Sequence, residues 1–391
     1  MKKTFLHGVS GVLMLGCVLT GVSGCASAPT QKAREYFENL YKRIGYKKEG
    51  NYRVIDIFYA TSREVTEKKD STLKFLPRMG KGVTGGKVDV KVDPRIKIGK
   101  MLPRRFKRKG EIGIQDVQKL SDADLLKQLT DAVANSPHKS LLVLVFGFKD
   151  DFESVAIEAA YFAYMLDVNT PILLFDWPGD QPVSIDGYHK AQKNAKASGP
   201  YLGELLTSVI RVVKPEKIWI QASSLGCQVI CDAFEHMHKY DDLRDAETEI
   251  HHVFLAAPDV GQDDFDDHFK EQISALSQGL TTYVASNDEA LLISSILNEE
   301  KRVGRLKKPG KAMDQSEETR DLLYLKSMAP DKISLIDVTL RNKASYGHGY
   351  YLEDSEYFDN VYFRIFGNPP HSNRRLYLIK YQGDTDYWVL K

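Results

Sequence analysis

From residue 141 onward the chain alternates between two hydrophobic rhythms. Short, continuous apolar runs recur at 141–145, 172–175, 218–220, 253–256, 283–285 and 333–338. Runs of this kind, bounded by polar residues, predict strands covered on both faces. Between them lie longer segments, 152–166, 188–212, 227–237, 265–276 and 289–297, with 357–366 after the last run. These predict helices, the second of them broken at Gly199-Pro200. Strand and helix in alternation place the chain in the α/β class, with a mostly parallel sheet and helices on both faces.

The flanks read differently. Residues 52–60 are rich in β-branched and aromatic side chains, interrupted by Asp56, and 86–92 put Val88, Val90 and Val92 on one face. Both read as strands of an N-terminal β-rich extension over 51–115. Ser121 with Asp124 makes a capping box ahead of Leu125, Leu126, Leu129 and Val133, and Pro137 ends that helix. The α/β domain is bounded at 116–368. Past Pro369-Pro370, residues 376–381 and 387–390 read as the two strands of a β-hairpin extension over 369–391. The long polar segments 179–190 and 300–311 are candidates for a lid.

The beginning of the chain has a character of its own. Lys2 and Lys3 precede an apolar stretch from Val9 to Leu19, which is too short for a comfortable membrane span and suits a signal peptide over 1–24. Val22-Ser-Gly-Cys25 resembles a bacterial lipobox, which makes Cys25 the expected lipidation site, with 25–50 as a tether. The expected setting is the cell envelope, attached to a membrane by the lipid anchor. Ala26 in place of aspartate points to the outer membrane, facing the periplasm. A basic run from Lys97 to Lys109 is either a solvated loop or a contact for anionic headgroups.

The 391 residues are 42% hydrophobic and 27% charged, with net charge +1. Such a balance offers no basic field for nucleic acid. No metal-ligand spacing appears. Cys227 and Cys231, four apart on a predicted helix, read as buried free thiols rather than a disulfide.

Chemistry enters at the run 218–220. It passes into Ala222-Ser-Ser-Leu-Gly226 and then into a helix, the setting of a nucleophile elbow. Ser224 has small residues two before and two after it, and Ser223 does not. Ala222 stands where the usual pattern has glycine. The alternative is a serine that merely caps a helix. In a parallel sheet, reactive groups gather at the carboxyl ends of the strands. There the chain places Gly147 and Phe148, Ser224, Asp288 and His348, in the order nucleophile, acid, base. Asp259 also follows a strand and competes with Asp288 for the acid. Backbone N–H groups of Leu225 and of Gly147 or Phe148 are the candidate oxyanion donors. Asp176-Trp177 is read as pocket wall, with Trp177 either core or substrate contact. His251 and His252 are adjacent on a strand, so they point to opposite faces and read as structural.

Seven motifs fall in order across residues 52 to 366: Phe58-Tyr-Ala-Thr-Ser-Arg63, Leu144-Val-Phe-Gly-Phe148, Leu174-Phe-Asp-Trp-Pro178, Ala222-Ser-Ser-Leu-Gly226, Ala256-Ala-Pro-Asp-Val260, Tyr283-Val-Ala-Ser-Asn-Asp288 and Gly347-His-Gly-Tyr-Tyr351. Together they resemble a bacterial α/β-hydrolase family of unknown function that is esterase- or lipase-like. The resemblance implies the α/β-hydrolase fold, with nucleophile Ser224, acid Asp288 and base His348. It implies hydrolysis of a small-molecule or lipid ester through an acyl-enzyme, with neither metal nor organic cofactor. Two positions depart from the family. Phe146 and Ser223 stand where it usually has histidines beside the oxyanion hole, which opens the alternative of an inactive fold kept as a binding or assembly platform.

Overall fold

The structure is a computed structural model, and it describes residues 46–50, 52–69, 72–96, 110–244, 249–305, 333–366, 376–381 and 385–390. The expected signal peptide, Cys25, most of the tether and the basic run 97–109 lie outside the described residues. Tyr41–Lys391 form one compact unit.

A single twelve-stranded sheet organises that unit. Its strands in chain order are β1 Tyr46–Glu49, β2 Tyr52–Glu67, β3 Leu73–Val92, β4 Ile112–Leu120, β5 Ser140–Val145, β6 Ile172–Asp176, β7 Lys217–Ser223, β8 Ile250–Ala256, β9 Leu280–Val284, β10 Ile333–Asp337, β11 Leu376–Tyr381 and β12 Thr385–Leu390. In space the order is β11-β12-β10-β9-β8-β7-β5-β6-β2-β3-β4, with β1 also paired to β2. Every neighbour pair from β2 through β6, β5, β7, β8, β9 and β10 to β12 is parallel. The pairs β1–β2, β2–β3, β3–β4 and β11–β12 are antiparallel.

The continuous apolar runs have a direct explanation. Leu142 and Leu144 of β5 pack into one core layer with the helix Phe152–Leu166 and with Tyr357 and Val361 of the helix Ser355–Ile365. Leu141, Val143 and Val145 pack into the other, with side chains of the helices Asp122–Ala134, Ile185–Ser208 and Gly226–Met237. Both faces of β5 are dry, so no position can be polar without a partner. Each such aliphatic side chain removed from water contributes about 1.5–3 kcal/mol.

Two predicted features change, and two strands are new: β1, which falls inside the expected tether 25–50, and β4. The helix Ile185–Ser208 runs unbroken through Pro200. Gly199 and Gly203 lie so close to Asp232, Ala233 and His236 of the helix Gly226–Met237 that side chains there would collide with it. This packing fixes the helix, and the irregularity falls more than two turns later, as a π-helical turn at Val209–Val213. β3 begins at Leu73 rather than at residue 86. β4 was not anticipated, and a bulge explains why. Val90 pairs with Ile114 and Asp89 with Asp116, so Gln115 is the extra residue and the apolar alternation slips by one.

Candidate active site

The strand order reverses at the middle of the sheet. From β5 the chain moves to β6 on one side and returns to β7 on the other. Such a switch point leaves a crevice at the carboxyl ends of the two central strands. Ser224, after β7, and Gly147, after β5, face each other there. A Cβ added to Gly147 would lie 2.6 Å from the Ser224 Cβ.

Ser224 sits at φ 51°, in the left-handed region. For a serine this costs on the order of 1–2 kcal/mol, so the surroundings must hold it. Its N–H donates to Ala256 O at 3.0 Å, and its carbonyl accepts from Cys227 N at 3.0 Å and Asp259 N at 3.2 Å. Gly226 is required by contact: a Cβ there would lie 2.6 Å from the Phe146 carbonyl oxygen. The sharp turn and the close approach are those expected of the elbow. Cys227 and Cys231, on the following helix, are free and buried.

Asp288 does two things at once. Oδ1 accepts from Leu291 N at 2.9 Å, capping the helix Glu289–Leu297. Oδ2 meets His348 Nδ1 at 2.8 Å. A carboxylate only accepts, so Nδ1 carries the proton and Nε2 is left as the acceptor. Burial works against a charged His348, but the hydrogen bond and charge of Asp288, with the further charge of Asp259, outweigh it and raise its pKa.

The loop bearing His348 is held against Asp288 by its own backbone. Gly347 has φ 65°, and a Cβ there would overlap the Asn287 carbonyl. Asn342 Nδ2 donates to Gly347 O at 2.5 Å and to Asn287 Oδ1 at 3.1 Å, while Asn287 Nδ2 donates back to Asn342 O at 2.9 Å. The Tyr350 hydroxyl accepts from Ala257 N at 2.7 Å and donates to Tyr283 O at 2.9 Å.

Asp259 is engaged elsewhere. Its carboxylate accepts from the Tyr188 hydroxyl at 2.8 Å and from Ser294 Oγ at 2.6 Å, and lies 3.3 Å from Arg302 Nε. Of the two competing acids, Asp288 is the one bonded to His348. Among the described residues, Ser224 Oγ makes no hydrogen bond with His348, and the N–H groups of Leu225, Gly147 and Phe148 donate to no protein acceptor.

One expectation changes and one open alternative is decided. Asp176 is not a pocket wall: it is buried and bonded to Arg63 and Thr61. Trp177 is core, and its Nε1 donates to Phe146 O at 2.8 Å. The segment 179–190 is anchored near its start, where Gln181 Nε2 donates to Pro77 O at 2.8 Å, and it becomes helical at Ile185. Of the other lid candidate, residues 306–311 lie outside the described residues. Phe146 is buried. Ser223 Oγ is buried, with the Tyr351 hydroxyl near it. Arg63, Asn287 and Asn342 have roles that rest on partners distant in sequence, so no local pattern marks them.

The mostly parallel sheet, the strained serine at its switch point and the Asp288–His348 pair after later strands place the chain among the α/β hydrolases. The chain belongs to the family described as alpha/beta hydrolase of unknown function (DUF900), whose model matches residues 121–363. No curated protein matches the chain. Among solved structures it is similar to an esterase of Pyrococcus furiosus, at 9% identity over 84% of this chain and 95% of that one, with TM-score 0.33. It is also similar to a butyrate-bound esterase of Thermogutta terrifontis, at 12% identity over 78% and 95%, with TM-score 0.29. A third likeness is to a hydrolase of Legionella pneumophila, at 11% identity over 85% of each chain, with TM-score 0.23. At these scores the likenesses add nothing to the family match.

Proposed function

We propose that the protein is a serine hydrolase of carboxylic esters, with Ser224 as nucleophile, His348 as base and Asp288 as orienting acid. The observation that carries this reading is the His348–Asp288 hydrogen bond, taken with a serine held in the left-handed conformation at the end of β7. In the proposed cycle, Ser224 Oγ attacks the ester carbonyl carbon while His348 Nε2 takes the hydroxyl proton. The oxyanion is met by the N–H groups of Leu225 and of Gly147 or Phe148. Collapse breaks the bond to the alcohol, which leaves with the proton from Nε2. Water then repeats the sequence on the acyl-serine, releasing the acid and restoring Ser224. The sequence of the leader and Cys25 support a further part of the proposal, attachment to the envelope by a lipid anchor.

A second reading, a fold kept as a binding or assembly platform, is favoured by one observation: Ser224 Oγ and His348 are not hydrogen-bonded. Many active sites tighten such contacts only with substrate bound. Labelling of the unlipidated protein by a fluorophosphonate decides between them. Labelling lost in Ser224→Ala and kept in Ser223→Ala supports the enzyme. No labelling of the folded protein supports the platform.

A further inference from the structure

Arg63 contributes no group to the crevice, yet three hydrogen bonds that anchor the loop after β5 lead to it, beside the packing of Phe148 on Tyr188. The residue lies on β2 between two register irregularities, just beyond the pair Thr61↔Asp176 that joins β2 to β6. Its side chain has no exposure. Nε donates to both oxygens of Asp176, at 3.0 and 2.8 Å, and Nη1 is paired with the Asp180 carboxylate. Nη2 donates to the Asp150 carbonyl at 2.9 Å. Thr61 Oγ1 completes Asp176 at 2.6 Å.

The loop Phe146 to Asp150 holds the two candidate donors Gly147 and Phe148. It is fixed at three further points. Trp177 Nε1 donates to Phe146 O, and Lys149 N donates to Gly179 O at 2.8 Å. Asp150 O is held by Arg63 itself. Trp177 and Gly179 belong to the turn 176–180, and both ends of that turn, Asp176 and Asp180, are tied to Arg63. The guanidinium therefore holds the loop directly and also holds the turn that clamps it. Lys149, between these anchors, has φ 88° without being glycine. Such a conformation persists only where its surroundings over-determine it.

A buried ion cluster is a poor device for stability alone, because desolvation cancels much of its attraction. A rigid planar fork with several donors is a good device for fixing the relative position of separate segments. Oxyanion donors must be placed to within about 0.5 Å to be useful. We infer that Arg63 is a positioning residue that sets the oxyanion-binding loop of the reaction proposed above, on which this inference rests.

The test uses the unlipidated chain with Arg63→Lys, which keeps the charge and loses the fork, and Asp180→Asn, which takes the charge from one partner that is partly exposed. Activity is normalised to the fraction of Ser224 that can be titrated. The expected result for Arg63→Lys is a fall in kcat of about a hundredfold, the scale of losing one oxyanion donor, with KM within about threefold. Affinity for a boronic acid, which forms a tetrahedral adduct, falls in parallel. Asp180→Asn shows the same pattern, more weakly. Amide exchange at Lys149 quickens in both variants while that at Ile220 in β7 does not change. Unchanged exchange at Lys149 in folded Arg63→Lys overturns the inference, and so does kcat per active site within threefold of the parent. A parent protein that never labels at Ser224 defeats the esterase reading alone. The exchange measurement still decides whether Arg63 holds the loop.

Discussion

Replacing Asp288 separates its two duties, because asparagine performs one of them and alanine neither. Oδ1 caps the helix Glu289–Leu297 through Leu291 N, while Oδ2 holds His348 Nδ1. Asparagine is as good a cap as aspartate, so Asp288→Asn keeps the helix start and stability stays near the parent's. Its amide NH₂ then faces Nδ1 and donates to it. The imidazole proton is driven to Nε2, and the nitrogen proposed to take the Ser224 proton can no longer accept. Loss of the correct tautomer in this way costs about four orders of magnitude in kcat, or about 5.5 kcal/mol of barrier. Asp288→Ala loses the cap as well, for about 1 kcal/mol and a fall in Tm of roughly 2–3 °C. The pH dependence adds a sign. His348 is active as a base when neutral, and its pKa is raised in the folded protein. The acid limb of kcat/KM therefore lies above the ordinary histidine value of about 6.5. The charge that raises it is gone in Asp288→Asn, so the His348 ring, followed by NMR, titrates at lower pH. The measurements are ester hydrolysis across pH, thermal melts and that titration. Hydrolysis by Asp288→Asn within tenfold of the parent, or an unmoved His348 titration, would refute the assignment.

Asp259→Asn tests the competing acid: kcat per active site stays within about threefold, while Tm falls because buried Arg302 loses a carboxylate partner and keeps Glu300, 3.5 Å away, and Ser294, and losing one partner of a buried pair is costly. Equal loss of activity in the Asp259 and Asp288 variants would restore the competition. Gly347→Ala forces a left-handed alanine into the Asn287 carbonyl; it should lose more than about 2 kcal/mol together with fluorophosphonate labelling, and a stable, fully labelled variant would contradict the packing described. Cys227 and Cys231 are buried, and burial pushes both thiols well up from their ordinary value. Neither should react with a disulfide reagent until the protein unfolds, which a titration with and without denaturant checks.

How much of this could be read from the residues alone depended on range. The elbow is local: Ala222 to Gly226 bear its small residues in sequence, and the strained Ser224 followed from that pattern. The runs around Val143, Ile220 and Leu255 are local too, because burial on both faces leaves no polar positions. Asp259 and Asp288 could not be separated so firmly, since both follow apolar strands. The difference is that Arg302 and Tyr188 reach one and His348 the other, and those partners are distant in sequence. The role of Arg63 is not local, because its partners are Asp176, Asp180 and Asp150. An arginine just past the apolar run 52–60, with an aspartate closing the run 172–175, is the signal the sequence carries. The helix through Pro200 was misread because local propensity saw proline, while the packing of Gly199 against Asp232 decided the outcome.

The order of strands in space also has a consequence in time. β1 to β4 pair among themselves in a meander of consecutive neighbours, a contact pattern that forms quickly. One edge of β2 must wait for β6, whose partner residues lie 115 positions further along. Until they arrive, a growing chain presents Phe58 to Thr61 as an open, apolar template for any other strand. The interval between finishing the meander and delivering β6 is therefore the window in which this protein is most prone to pair with a copy of itself. Refolding yield should fall with concentration during that phase and recover once β6 is in place.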